Sequence, residues 1–385
     1  MAQKDSNLYK FEQNNEVKVI DTSKKVRIGI IGTGWIADSH AEVYVKQPDV
    51  EIVALADLIP GKAEAFKNKW NMEGTRVYEG ENAHLKMLEA EKLDAVSVCT
   101  YNRAHTVCTI DSLKHGLDVM LEKPMCVTMD EAVAIRKAEK ETGKFVTIGF
   151  QPRYSPRFMQ MKEIVQSGVL GKLYYVQACT NCRRHGIPTP FGTTFIEDKT
   201  AGLGALADIG CYSLDLVMNT IGYPKPLTVT GHKCDFFGKN PEYYKNPDHP
   251  EYAELFSVDD FASGYVRLEG GIILDFRIAW AMHMDTMGDT IILGTKAGLR
   301  IPGDGSELIV YSDMGNNRVK TVIPAAPEVP YTPFEGKLRA FIEAVKTGGP
   351  APIPTSEIIK NQAIISGIAE SCRVGGEIKI EIPEI

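Results

Sequence analysis

The chain has 385 residues, enough for two cores, and its 44% hydrophobic and 24% charged content excludes a disordered or fibrous protein. A net charge of −7 with no basic run argues against a nucleic-acid or anionic-membrane partner, and no apolar stretch approaches the ~20 residues of a membrane span. Most of the eight cysteines sit in apolar runs (Cys99, Cys108, Cys126, Cys211), and the first 25 residues lack the apolar core of a leader, so reduced thiols and a cytoplasmic location are expected.

Residues 1–25 read as an N-terminal extension, a tail or an arm laid on a neighbour, with Leu8, Tyr9 and Phe11 its only strong anchors. Val26, Ile28, Ile30 and Ile31 then form an apolar run suited to a buried strand. The turn Gly32-Thr33-Gly34 follows, and a helix is expected over 36–47. In that order a G-x-G-x-x-A loop carries meaning. Gly32 permits the tight turn, Gly34 lets a pyrophosphate approach the backbone, and the helix start at Trp35 and Ile36 offers free N–H groups. Glu51–Ala56 reads as a second strand ending in Asp57, 25 positions after Gly32, where a carboxylate can accept both ribose hydroxyls and repel a 2′-phosphate. Leu58 and Ile59 come next, with no adjacent Arg or Lys, which favours NAD over NADP.

Up to Gly149 strands and helices keep alternating, with helices over 61–70, 82–91, 104–115 and 129–141 and strands over 76–78, 94–99, 117–121 and 144–148. This rhythm predicts an α/β domain over 26–150 with a doubly wound parallel sheet. Ligands bind beyond the carboxyl ends of such strands, which directs attention to Thr100–His105, Glu122–Pro124 and Phe150–Tyr154. Residues 151–385 read as an α+β domain. Helices are expected over 155–167, 209–221, 334–347 and 356–374, the last two free to pack back on the first domain. Strands are expected over 173–183, 227–237, 260–268, 272–280, 290–293, 308–312 and 377–382, several alternating in polarity as in a large, mostly antiparallel open sheet. Residues 238–252 form a Pro- and Tyr-rich insertion.

Lys123 follows a strand and precedes Pro124, which holds it out of helical geometry. Near a nicotinamide it can donate to a substrate hydroxyl, its pKa lowered by partial burial beside a cationic ring; a solvated turn lysine is the alternative. In the glycine-rich stretch 202–215, Asp208, Tyr212 and Asp215 are spaced to share one helix face. Tyr212 could pass a proton and Asp208 could orient it, or they could be packing and a plain N-cap. Cys179 and Cys182 stand alone in a strand-like run with side chains on opposite faces, so no metal is expected. Trp280 and His283 close a strand and are expected along the open sheet, and His40, His84 and His115 on helix surfaces.

The motifs G-T-G-W-I-A at 32–37, Asp57, T-Y-N-R-A-H at 100–105, E-K-P at 122–124, G-F-Q-P-R-Y at 149–154 and G-L-G-A-L-A-D-I-G-C-Y at 202–212 occur in order. With them the chain resembles the glucose–fructose oxidoreductase / inositol 2-dehydrogenase / rhizopine-catabolism (Gfo/Idh/MocA) family from Val26 to Ile382. The resemblance implies a nicotinamide-binding domain followed by an open sheet commonly used for dimerisation, hence a homo-oligomer. It implies Asn102, His105, Glu122 and Gln151 along the cofactor beside Gly32–Ile36, Asp57 and Thr100, and Lys123 and Asp208 at the substrate. Tyr212 stands where many relatives have His, Tyr101 where Pro is usual, and Gln151 where Asn is usual. The function expected is NAD(H)-dependent hydride transfer at a secondary hydroxyl of a sugar, cyclitol or glycoside, with ring position 3 as a hypothesis. Lys123, Tyr212, Asp208 and His185 are the catalytic candidates, and Arg153, Tyr154 and Arg183 join them as substrate contacts. A redox-neutral glycoside hydrolase using the same cofactor and a non-catalytic NAD-binding regulator are the rivals.

Overall fold

The apolar run at the start of the chain becomes the centre of a parallel sheet. In the computed structural model, which describes residues 23–180, 182–184, 186–189, 192–244 and 249–385, Val26–Ile31 forms β1. Trp35–Tyr44 (α1), Val50–Asp57 (β2), Lys62–Lys69 (α2), Arg76–Glu79 (β3), Ala83–Ala90 (α3), Ala95–Val98 (β4), Asn102–Lys114 (α4), Asp118–Leu121 (β5), Met129–Thr142 (α5) and Val146–Ile148 (β6) follow. The six strands pair in parallel in the order β3-β2-β1-β4-β5-β6. The direction in which strands are added to the sheet reverses between β1 and β4, so their carboxyl ends open a crevice where a ligand can enter. The extension anchors Leu8, Tyr9 and Phe11, and the candidate His185, lie outside the described residues.

A second, larger sheet is built from Leu173–Ala178 (β7), Pro226–Cys234 (β8), Phe261–Leu268 (β9), Ile272–Ala279 (β10), Thr290–Gly294 (β11), Ala297–Ile301 (β12), Leu308–Met314 (β13), Asn317–Ile323 (β14) and Ile378–Lys379 (β15). Its order is β14-β13-β12-β11-β7-β10-β9-β8-β15, antiparallel except between β7 and β10. Two of these strands were not expected. β12 alternates buried and unburied positions over only five residues, a run too short to stand out, and β14 (NRVKTVI) is an edge strand with no buried residue and no apolar rhythm. The strand expected over 173–183 stops at Ala178, because β11 pairs no further than Gln177. The last strand keeps only two residues of the expected 377–382.

Between β6 and β11 the chain adds Pro156–Gln166 (α6), Asp198–Ala201 (α7), Ala205–Asp208 (α8), Gly210–Thr220 (α9) and Tyr252–Leu255 (α10). Pro333–Thr347 (α11) and Thr355–Val374 (α12) come near the end. On α12, Ile364, Ile365 and Ile368 are buried in the core of the second sheet, whose opposite face carries the exposed Tyr265 and Tyr311. Among the described residues no single helix is long and apolar enough to cross a membrane.

Helix α11 completes the first sheet. Leu338, Phe341 and Ile342 are fully buried in one core with Ile28, Ile30, Ala41 and Tyr44, each contributing roughly 1.5–3 kcal/mol. A charged clamp fixes the helix at its side. Buried Asp49 receives two parallel hydrogen bonds from the Arg339 guanidinium (2.7 and 2.7 Å) and a third from the Lys346 ammonium. Burial pushes the Asp49 carboxyl up, but Arg339 and Lys346 outweigh it and hold the pKa at about 2. A carboxyl depressed by folding stabilises the fold above its unfolded value of ~3.9 and loses that contribution as pH falls towards the folded value. Urea midpoints are therefore expected to fall from pH 5 to pH 2.5 (both about, as buffer choices), and to fall less in Asp49→Asn.

Candidate active site

The crevice at the switch between β1 and β4 is a cavity of about 820 Å³, within the size range of cofactor sites. Gly32, Thr33, Gly34, Trp35, Ile36, Asp57, Thr100, Asn102, Glu122 and Lys123 all line it. Gly32 sits at φ +86°, and a Cβ there would lie 2.7 Å from the Cys99 carbonyl oxygen, so the turn requires glycine. No side chain caps α1 at Gly34, leaving the helix N–H groups open to an anion. Asp57 shapes this loop. One carboxylate oxygen accepts from the Thr33 N–H (2.8 Å) and hydroxyl (2.7 Å), and the other from the Ile59 N–H (2.9 Å). Lys62 brings its ammonium to 3.8 Å from Asp57, beside Gly34. Lys62 is not adjacent to Asp57 in sequence and belongs to no motif, so no local pattern marks it.

The loop before α8 covers part of this cavity. Phe195 faces the Trp35 ring across a 6.4 Å centroid distance and lines the same cavity. Asn102 ties this loop down, its amide donating to the Ala201 carbonyl (3.0 Å), while Arg103 pairs with both Asp198 oxygens (2.9 and 2.9 Å).

At the inner end of the cavity lies Lys123. Its ammonium donates to the Asp208 carboxylate (2.9 Å) and to the Asp208 carbonyl (3.1 Å), and stands 4.7 Å from the centre of the Tyr212 ring. The expected lowering of the Lys123 pKa is reversed here. Burial does push it down, but the adjacent Asp208 carboxylate outweighs burial and raises it above the ordinary lysine value. The second Asp208 oxygen accepts from the Trp280 indole N–H (3.1 Å). Trp280 is fully buried rather than lying along the open sheet. It lies 72 positions after Asp208, and no local pattern announces the contact.

Asp208 is not on the helix of Tyr212. It ends the short α8, and the chain bends by 45° at Ile209 before α9 begins. Asp208 and Tyr212 still meet at Lys123, but Asp215 faces elsewhere. Buried Asp259 builds this segment by accepting from the backbone N–H groups of Gly204 (3.0 Å) and Leu206 (2.7 Å). A Cβ on Gly204 would lie 1.8 Å from the Asp259 carbonyl oxygen, so only glycine fits. The Tyr212 hydroxyl shares a hydrogen bond with the Gln151 amide (3.1 Å), and burial raises its pKa to about 12.

Glu122 is buried beside Lys123 and holds two partners that sequence reading did not connect. His40, expected on a helix surface, is fully buried and approaches the Glu122 carboxylate at 2.8 Å. The buried Lys337 ammonium of α11 donates to the same oxygen. Burial pushes the Glu122 carboxyl up, but Lys337 and His40 more than reverse this and hold it well below the usual carboxylate range. Burial lowers the His40 pKa, so the neutral ring donates through Nε2 and leaves Nδ1 without a partner among the described residues. His105 clamps the other side of the loop, its Nδ1 lying 2.7 Å from the Pro124 carbonyl oxygen. Neither His105 nor Gln151 lines the cavity; both act on residues that do, or that meet at Lys123.

Other candidates are not brought to this point. Arg153 is taken up by Asp215 (2.9 and 2.7 Å), Glu357 (2.8 Å) and Tyr223. Tyr154 packs against Gly336 of α11, and the exposed Arg183 is held through its backbone to Ala279. His84 is half-buried against Asp111, and His115 is exposed. Cys179 and Cys182 lie beyond the strand, and no cluster of three metal-ligating side chains occurs among the described residues.

A six-stranded doubly wound sheet with a glycine-loop crevice, joined to a large open sheet by a buried Lys–Asp pair, defines a nicotinamide-dependent oxidoreductase. Residues 26–150 match the GFO_IDH_MocA model, described as an oxidoreductase family with an NAD-binding Rossmann fold, and residues 158–300 match the GFO/IDH/MocA C-terminal domain. The chain belongs to this family of NAD-binding oxidoreductases. It is 33% identical over 282 residues to D-glucoside 3-dehydrogenase of Escherichia coli (strain K12), covering 72% of this chain and 77% of that one. It is 25% identical to scyllo-inositol 2-dehydrogenase (NAD(+)) of Bacillus subtilis (strain 168), over 93% of this chain and 97% of the relative. The crystal structure of aldose-aldose oxidoreductase from Caulobacter crescentus shares the fold, with a TM-score of 0.73 and 22% identity over 93% of this chain and 100% of the other.

Removing one member of a buried ion pair leaves the other charge uncompensated, at a cost of roughly 3–5 kcal/mol. Asp208→Asn is expected to lower the thermal midpoint clearly. Adding Lys123→Met to Asp208→Leu is expected to recover most of the loss without restoring activity, as calorimetry and turnover would read.

Proposed function

We propose that the chain oxidises a secondary hydroxyl of a sugar, cyclitol or glycoside, and reduces the ketone in reverse. One observation carries this reading: the Lys123 ammonium, at the inner end of the cofactor cavity, has two of its three N–H donors on Asp208. The third is left for a substrate oxygen.

Bound NAD supplies the hydride acceptor. Gly32, Thr33, Gly34, Trp35 and Ile36 would hold its pyrophosphate, with Lys62 beside them, and Asp57 its ribose. Thr100, Asn102 and Glu122 would border the rest. Lys123 is the acid–base group. As an ammonium it gives its proton to the oxygen of a ketone being reduced; for oxidation it must first lose that proton and then take the one on the hydroxyl. Tyr212, oriented by Gln151, donates a hydrogen bond to the same oxygen. Asp208 and Trp280 are positioning residues that act through Lys123. The names of the Escherichia coli and Bacillus subtilis relatives support a glycoside or cyclitol substrate and, for a glycoside, ring position 3.

The proposal includes a homo-oligomer, dimer or tetramer, through the open sheet face, supported by exposed Tyr265 and Tyr311 there. It also includes a cytoplasmic location, supported by eight unpaired thiols.

The test is the absorbance of reduced cofactor on mixing protein, NAD and a panel of free sugars, inositols and glycosides. A rise with one substrate class is expected, reduced at least about 100-fold in Lys123→Ala. An altered sugar without that rise would replace the proposal with a redox-neutral hydrolase, and NAD bound with every sugar unchanged would replace it with a regulator. Because Asp208 raises the Lys123 pKa, the oxidation rate is expected to climb with pH between about 7 and 10 without levelling.

A further inference from the structure

A second cleft of about 730 Å³ opens two residues along the chain from Trp280, and its lining has no part in the chemistry above. It forms where three strand ends converge. Phe236 and Phe237 follow β8, His283 follows β10, and Arg184 lies on the segment after β7. The insertion after β8 adds Glu242 and Tyr243.

The wall is an ordered aromatic group. The Phe237 ring meets Tyr243 edge-on at 4.6 Å and His283 at 5.1 Å, and the Tyr243 hydroxyl lies 2.6 Å from His283 Nε2. Phe236 beside them is 75% exposed, an unusual position for so large an apolar ring. Neither Arg184 nor Glu242 makes a side-chain hydrogen bond or ion pair with another described residue, and both line the cleft. The cleft therefore presents flat apolar rings and, around them, one cation and one carboxylate with no side-chain partner among the described residues.

Along the chain, the cleft wall leads to Trp280, the partner of Asp208. Met282, on its wall, hydrogen-bonds the Arg184 carbonyl (3.2 Å) and lies two residues from Trp280, whose indole holds Asp208. At ~3.4 Å per residue the backbone separation from Trp280 to that wall is at most about 7 Å.

We propose that this cleft is a subsite for a second sugar ring, the one joined through the glycosidic bond to the ring that is oxidised. The inference rests on the glycoside reading above. A pyranose offers an apolar C–H face to aromatic rings and hydroxyls at its rim, and the Arg184 and Glu242 heads match those hydroxyls. An apolar aglycone would use the rings but offer Arg184 and Glu242 no hydrogen-bond partner.

The experiment compares kcat/KM for methyl β-D-glucoside, p-nitrophenyl β-D-glucoside, cellobiose and maltose in the full-length protein with saturating NAD. The variants are Phe236→Ala and Glu242→Ala, both at exposed positions, with thermal midpoints as a folding control. The better disaccharide is expected to exceed the methyl glucoside by about tenfold, and each variant to bring the two within about threefold while the methyl glucoside value holds. An unchanged ratio in both variants, or a p-nitrophenyl glucoside better than both disaccharides, overturns the assignment. Should no sugar be oxidised, calorimetric titration of the same sugars separates the two readings. Disaccharide binding that is lost in Phe236→Ala keeps the subsite and removes the dehydrogenase; absence of disaccharide binding removes the subsite as well.

Discussion

Lys123 leaves the six-stranded sheet at the end of β5, and Asp208 belongs to a helical turn fastened to the nine-stranded sheet through Asp259. The ion pair between them is 9% and 10% exposed, so each charge has given up most of its water and depends on the other. That dependence fixes how the two sheets meet. In the reaction proposed above it also sets the chemistry, because an ammonium held by a buried carboxylate is a proton donor first and becomes a base only when that proton leaves.

The residue before Lys123 is fastened just as firmly, but from the opposite side. Glu122 is gripped by His40 from α1 and by Lys337 from α11. The loop carrying Lys123 is thus held by α1, by the C-terminal third of the chain and by the second sheet. Helix α11 contributes apolar area to the first core and a cation beneath the cofactor cavity, joining packing and electrostatics in one element.

Much of the fold could be read from the sequence. The β1 run, the glycine turn and the acid at Asp57 follow from spacing along one strand–turn–helix unit, and the alternation up to residue 148 gave the parallel sheet. Strands without a buried face, such as β14, left no periodic signal. The cofactor loop and Lys123 were legible because a local motif places them. Trp280, Lys337 and His40 were not, because their roles arise from contacts across 72, 215 and 82 positions, which no local pattern announces; Lys62 lies within local reach of Asp57 but belongs to no motif of its own. The break at Ile209 escaped for a different reason. A periodic i, i+4, i+7 pattern assumes one straight helix, and the backbone demands of Asp259 on Gly204 and Leu206 bend the chain first.

Asp259 and Asp260 are neighbours with divided duties. Asp259 secures the segment that carries Asp208, while one Asp260 oxygen accepts from the N–H groups of Phe237 (2.6 Å) and Gly238 (2.7 Å), where the insertion departs. The insertion is therefore moored at its root, independently of whatever length or composition its tip acquires. On the proposed reading, variation there reshapes the cleft that meets the substrate while Lys123 and Asp208 stay where they are. A lineage built on this arrangement is free to change diet without relearning its chemistry.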